Sequence, residues 1–130
     1  ADLVDKWVGR AFELGNCLVV CDEMDLAVSS RNSNVAPLAP LRVVMHGRSR
    51  NVSYVWVSRR PVELPPKWTT QANDLFIFSL RGRDLEFARN EGVDPKTVNG
   101  LKVGQYVHLD KTRNPHIHQF ATDTCRATEG

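Results

Sequence analysis

Three short apolar runs limit what this chain can fold into: "CLVVC" at 17–21, "VSYVWVS" at 52–58 and "LFIFSL" at 75–80. Each is too short for a helix of ordinary length, and β-branched or aromatic residues dominate, so each reads as a strand. None shows a clean polar face, as expected of strands covered on both sides in a parallel sheet. The segments between them have helical character. Val4, Trp7, Val8, Ala11 and Phe12 follow helical spacing, with Asp2 as a cap and Gly15 as a stop. Pro37 and Pro40 introduce "LRVVMHGRSR", a helix expected to end near Gly47. "PVELPPKWTTQAND" is broken by prolines, with room for one helical turn. "GRDLEFARNEG" reads as a helix closed by Gly92, and Asp94 with Pro95 marks the start of a short one. "GQYVHLD" at 104–110 alternates polar and apolar, which suits an edge strand or one with a wet face. Residues 29–36 read as a turn-rich loop, and the polar stretch 113–130 reads as a tail with a short strand at "HIHQF". Strands alternating with helices give an α/β fold with a mostly parallel sheet of about four strands.

At 130 residues this is enough chain for one domain with its own core. No apolar run approaches the roughly 20 residues needed to cross a bilayer, and the acidic start "ADLVDKWVGR" lacks the apolar stretch of a secretory signal. Cys17, Cys21 and Cys125 are odd in number and show no C-x-x-C spacing, which points to reduced thiols and a cytoplasmic protein. Charge is uneven along the chain. Residues 46–90 carry eight Lys/Arg against four acids, whereas residues 1–45 carry four against six. A basic middle suits phosphate, of a nucleotide or of nucleic acid; a solvated mixed surface explains it equally well.

In open α/β sheets ligands bind beyond the carboxyl ends of the strands. Here those ends read Asp22-Glu23, Ser58-Arg59-Arg60 and Arg81-Gly82-Arg83. Two acids and several arginines on one rim suit a phosphate ligand with a divalent cation. "LVVCDE" fits the Walker B pattern, in which the Asp holds hydrated magnesium and the Glu orients or deprotonates the attacking water. The plainer alternative is a strand that surfaces into solvent.

The order of these segments carries more than any one of them. "HGRSRNVSYVWVSRRP" followed by "ANDLFIFSLRGRDLEFARNEGVDPKTVNGLKVGQYVHLD" resembles the C-terminal half of the FtsK-HerA superfamily of DNA-pumping ATPases. The matching positions are Asp22 and Glu23, Gly47 and Arg48, and Arg60 and Pro61, and the likeness covers residues 1–112. It implies a partial RecA-like three-layer sandwich and magnesium-dependent ATP hydrolysis coupled to DNA translocation or packaging in phage or plasmid systems. ATP and Mg2+ would be the cofactors, and DNA the partner. In this likeness Asp22 is the metal ligand, Glu23 the catalytic carboxylate, Arg59 and Arg60 phosphate sensors, and Arg48 a finger reaching a neighbouring subunit's nucleotide. The full-length protein would then form a ring, and the half-domain would pair with a second copy through its bare sheet edge.

Two departures stand out. Arg59 occupies the place of the family's glutamine, and an arginine does not position water as a glutamine does. No glycine begins a G-x-x-x-x-G-K-[ST] string, so the Walker A loop that cradles the phosphates is missing, and the 130 residues alone are not expected to turn over ATP. A non-catalytic α/β interaction or nucleic-acid-binding module is the rival reading. Arg48 also suits a plain helix C-terminus, and Arg81 and Arg83 suit either phosphate or solvent. His108, His116 and His118 lack the further partners a zinc site needs. Of Trp7, Trp56 and Trp68 as base-stacking platforms, Trp56 reads as core. Cys21, beside two acids, is a poor nucleophile.

Overall fold

The computed structural model describes residues 2–27 and 38–120, in two compact units divided between Ala72 and Asn73. The loop expected over 29–36 and the end of the tail lie outside the described residues.

In the first unit, α1 (Asp2–Leu14) leads into β1 (Cys17–Cys21). The turn between them is set by Gly15 at φ +67°, where an added Cβ would lie 2.9 Å from the Arg50 carbonyl oxygen. A one-turn α2 (Met24–Ala27) follows, then α3 (Leu38–His46), which tightens into a 3-10 turn over Gly47–Arg50. β2 (Val52–Trp56) pairs parallel to β1, with Cys17 opposite Val52 and Cys21 opposite Trp56. A 3-10 turn (Pro61–Glu63) and α4 (Pro66–Thr70) complete the unit. Arg50 ties the elements together: its guanidinium donates to the carbonyls of Phe12 and Glu13, the last turn of α1. Carbonyls at a helix C-terminus lack partners within the helix, so a cation there is favourable.

One face of the β1–β2 pair is packed. Val8 of α1, Val43 of α3 and Val52 form its centre, with Val19, Tyr54 and Trp56 against them. Trp56 belongs to the packing, as expected. It stacks on Tyr54 with centroids 4.9 Å apart and lies 5.6 Å from Trp68, which is buried with Met24. The other face is open: Leu18 is 61% and Val20 62% exposed, and Val55 and Val57 are exposed beside them. The expectation that "CLVVC" is covered on both faces therefore holds for one face of the described residues.

In the second unit, β3 (Leu75–Ile77) pairs antiparallel with β4 (Gln105–Leu109), and β4 pairs antiparallel with β5 (Pro115–Gln119). A 3-10 turn (Gly82–Asp84), α5 (Leu85–Asn90) and α6 (Pro95–Asn99) lie between β3 and β4. Ile77, Val107 and Leu109 pack on Ala88, Val93 and Val98, so one sheet face is sealed by the two helices.

The mostly parallel sheet of about four strands is not what forms. The architecture is mixed α/β, with a two-stranded parallel sheet and a separate three-stranded antiparallel one. The reason is local. β3 is only three residues long and takes its hydrogen bonds from β4, while among the described residues β2 pairs with β1 alone. β4 is the central strand of its sheet with one wetter face, and "HIHQF" contributes β5 beside it.

Candidate functional site

The parallel pairing of β1 and β2 puts their carboxyl ends side by side. The ladder continues past the strands, with Val57 N–H donating to the Cys21 carbonyl at 2.9 Å and Met24 N–H to the Val57 carbonyl at 2.8 Å. Between those two bonds the chain leaves β1 through Asp22 and Glu23. Glu23 has φ +52°, a left-handed conformation that residues other than glycine seldom adopt. Its N–H is held by the Asp22 carboxylate at 2.8 Å. The sharp turn leaves both carboxylates exposed at the strand end.

Arg59 comes from the end of β2 and meets Glu23 at 3.3 Å. Both groups are largely solvated, so the pair is worth under about 1 kcal/mol and is easily exchanged. Arg60 places its guanidinium 3.7 Å from Glu63. The structure thus brings Arg59 to Glu23 at the carboxyl end of the pair, with Asp22 beside Glu23 and Arg60 turned to Glu63. Arg48 is elsewhere. It sits in the turn that precedes β2, at the opposite end of the parallel pair from the carboxylates. Arg81 and Arg83 belong to the second unit, in and beside the 3-10 turn after β3.

Sequence reasoning missed one pair. Asp25, in the first turn of α2, is buried and accepts a hydrogen bond from the Ser58 hydroxyl at 3.1 Å. Ser58 in turn accepts from the Arg60 N–H at 3.2 Å. This relay fixes the backbone from which Arg59 and Arg60 project. A third acid two residues beyond "DE" was the available signal. Cys21, directly before Asp22, has its thiol pKa pushed up, and the cause is burial rather than the neighbouring acids. It stays protonated at neutral pH and is no nucleophile.

Among the described residues no group of three or more His, Cys, Asp or Glu side chains is arranged to hold a metal ion. Magnesium does not require one, since it is commonly held by one or two carboxylates with water and substrate phosphates. An exposed carboxylate at a strand end fits that mode.

Solved structures share this fold. The genome packaging NTPase B204 from Sulfolobus turreted icosahedral virus 2, in complex with AMPPCP, superposes with a TM-score of 0.76 at 18% identity, over 92% of this chain and 65% of that one. Its complex with sulfate gives 0.78 at 18% identity, over 92% and 63%. B204 from Sulfolobus turreted icosahedral virus, the DNA-packaging ATPase, gives 0.71 at 19% identity, over 92% and 60%. This chain therefore has the fold of part of a packaging NTPase and spans about 60–65% of the length of these proteins. The likeness that its sequence carries to the FtsK-HerA superfamily is met at the level of fold. No protein-family model matches the chain, and no curated protein is similar in sequence. No helix among the described residues is long and apolar enough to cross a membrane.

Proposed function

We propose that this chain is the downstream part of a magnesium-dependent motor ATPase that moves or packages DNA. The observation that carries the reading is the meeting of Glu23, next to Asp22, with Arg59 at the carboxyl margin of the parallel pair, in a fold shared with nucleotide-bound packaging NTPases. Asp22 holds the hydrated magnesium of the nucleotide, which offsets phosphate charge. Glu23 orients the attacking water or takes its proton. Arg59 and Arg60 bind phosphate. Because Arg59 already pairs with Glu23, a terminal phosphate competes for that guanidinium and frees the carboxylate for water. Arg48, at the far end of the strands, suits a role toward a neighbouring subunit's nucleotide rather than its own. Such a motor assembles as a ring in the cytoplasm, with DNA as its cargo.

Phosphate release tests the reading in a protein that joins this chain to a Walker A segment. Glu23→Gln should lower hydrolysis at least 100-fold while ATP binding stays within about twofold, since general-base contributions run from about 10² to 10⁴. Turnover unchanged in that variant removes Glu23 from the chemistry.

A further inference from the structure

The second unit offers a surface that ATP hydrolysis does not use. Opposite the face sealed by α5 and α6, the antiparallel sheet carries a continuous layer of rings. Phe76 stacks on His108 with centroids 4.6 Å apart and planes 8° from parallel. Tyr106 lies 5.5 Å from Phe78, 5.5 Å from His118 and 5.0 Å from Phe120. The register explains the layer. Phe76 is opposite His108, Tyr106 is opposite His118, and alternate residues of a strand share a face.

Phe76 is 56%, Phe78 47% and Phe120 53% exposed, so this is an open floor and not a core. Its chemistry differs from that of the open face on the β1–β2 pair, which is aliphatic (Leu18, Val20, Val55, Val57) and suits dry packing. The ring layer instead mixes phenyl, phenol and imidazole. Asp74 meets the His108 ring at 2.8 Å, and Asp110 lies 3.6 Å from that of His116. A face destined for a dry core would leave those polar groups to be desolvated. Exposed cations stand beyond both ends of the strands: Lys111 in the β4–β5 turn, and Arg81 and Lys102 at the other end.

We infer that this sheet face is a stacking platform for unpaired bases of single-stranded DNA. Ideal strand spacings give it a span of roughly 13 by 10 Å, about 130 Å². It matches two bases laid side by side on rings, with phosphates reaching the cations at the rim. The platform lies within the second unit and does not rest on the magnesium site of the first.

The test is fluorescence anisotropy of the full 130-residue chain with labelled dT12, in EDTA so that no metal-nucleotide chemistry contributes. Saturable binding is expected, displaced by unlabelled dT12 but not by a 12-base-pair duplex or by ATP. Replacing Phe76, Phe78 and Phe120 together by Leu keeps apolar bulk and removes the rings; binding should weaken at least tenfold with the circular dichroism spectrum retained. If that variant does not fold, Phe120→Leu alone, at the end of the sheet, should weaken binding about threefold. Absence of saturable binding, undiminished binding by the folded Leu variants, or equal displacement by duplex or by ATP would overturn the inference.

Discussion

At the scale of single residues, Glu23 shows how the proposed function and backbone geometry meet. A glutamate at φ +52° sits in a region where glycine is far more comfortable, and strain of this kind gathers at working sites. Glu23→Gly should therefore raise the melting temperature, by up to about 1 kcal/mol of stability, while removing the carboxylate. A loss of stability would mean that the Glu23–Arg59 pair outweighs the backbone term. Asp110 is a second residue with a definite signature. The Thr112 hydroxyl, then the backbone N–H groups of Asn114 and Thr112, and His116 together hold its carboxyl at about 2 against an opposing desolvation effect. Because the folded value lies below the ordinary ~3.9, the turn's contribution to stability is present above that range. It is lost as pH falls through about 2. Carboxyl NMR should show Asp110 titrating near 2, and Thr112→Val should move the midpoint upward. A midpoint near 3.9 in the unaltered chain would contradict this account of the β4–β5 turn.

At the scale of elements, α6 is legible in the sequence. Asp94 accepts from the Lys96 N–H at 2.9 Å, and Pro95 fills the first helical position, as the string "DPKTV" suggests. Asp94→Ala should cost about 1 kcal/mol in thermal or urea unfolding. No loss would show that packing of Val98 alone holds this helix. Gly15 as the stop of α1 was readable for the same reason, since a left-handed residue after a helix announces itself through glycine. The strand segments were legible, and the expected parallel pairing holds for β1 and β2 but not for β3, β4 and β5. A run of five apolar residues does not encode whether its neighbour runs parallel or antiparallel, nor whether one face or two will be covered. "LFIFSL" looked like six residues of strand, yet only Leu75–Ile77 pair. Asp110–Asn114 was not read as the turn of a hairpin, because its key bonds are side chain to backbone. At the candidate site, Asp22, Glu23 and the two arginines were visible as strand-end residues. The Asp25–Ser58 bond was not, because it joins residues 33 positions apart.

At the scale of the whole molecule, the open aliphatic face of the β1–β2 pair is the feature that governs behaviour in solution. Parallel sheets are normally covered on both sides. Covering Leu18, Val20, Val55 and Val57 is worth about 1 kcal/mol or more for each half-exposed side chain. The isolated chain should therefore associate with concentration on size exclusion, and Val20→Lys with Val55→Lys should return it to a monomer. A monomer at every concentration before substitution would show that this face tolerates water. The proposed function puts a metal-nucleotide at the two acids of a strand terminus, Asp22 and Glu23. Manganese in place of magnesium makes that visible by electron paramagnetic resonance, in a protein joining this chain to a Walker A segment, with a non-hydrolysable ATP analogue. A bound-manganese signal that requires the analogue, vanishes in Asp22→Asn and persists in Asp5→Asn is the predicted result; an undiminished signal in Asp22→Asn would contradict it.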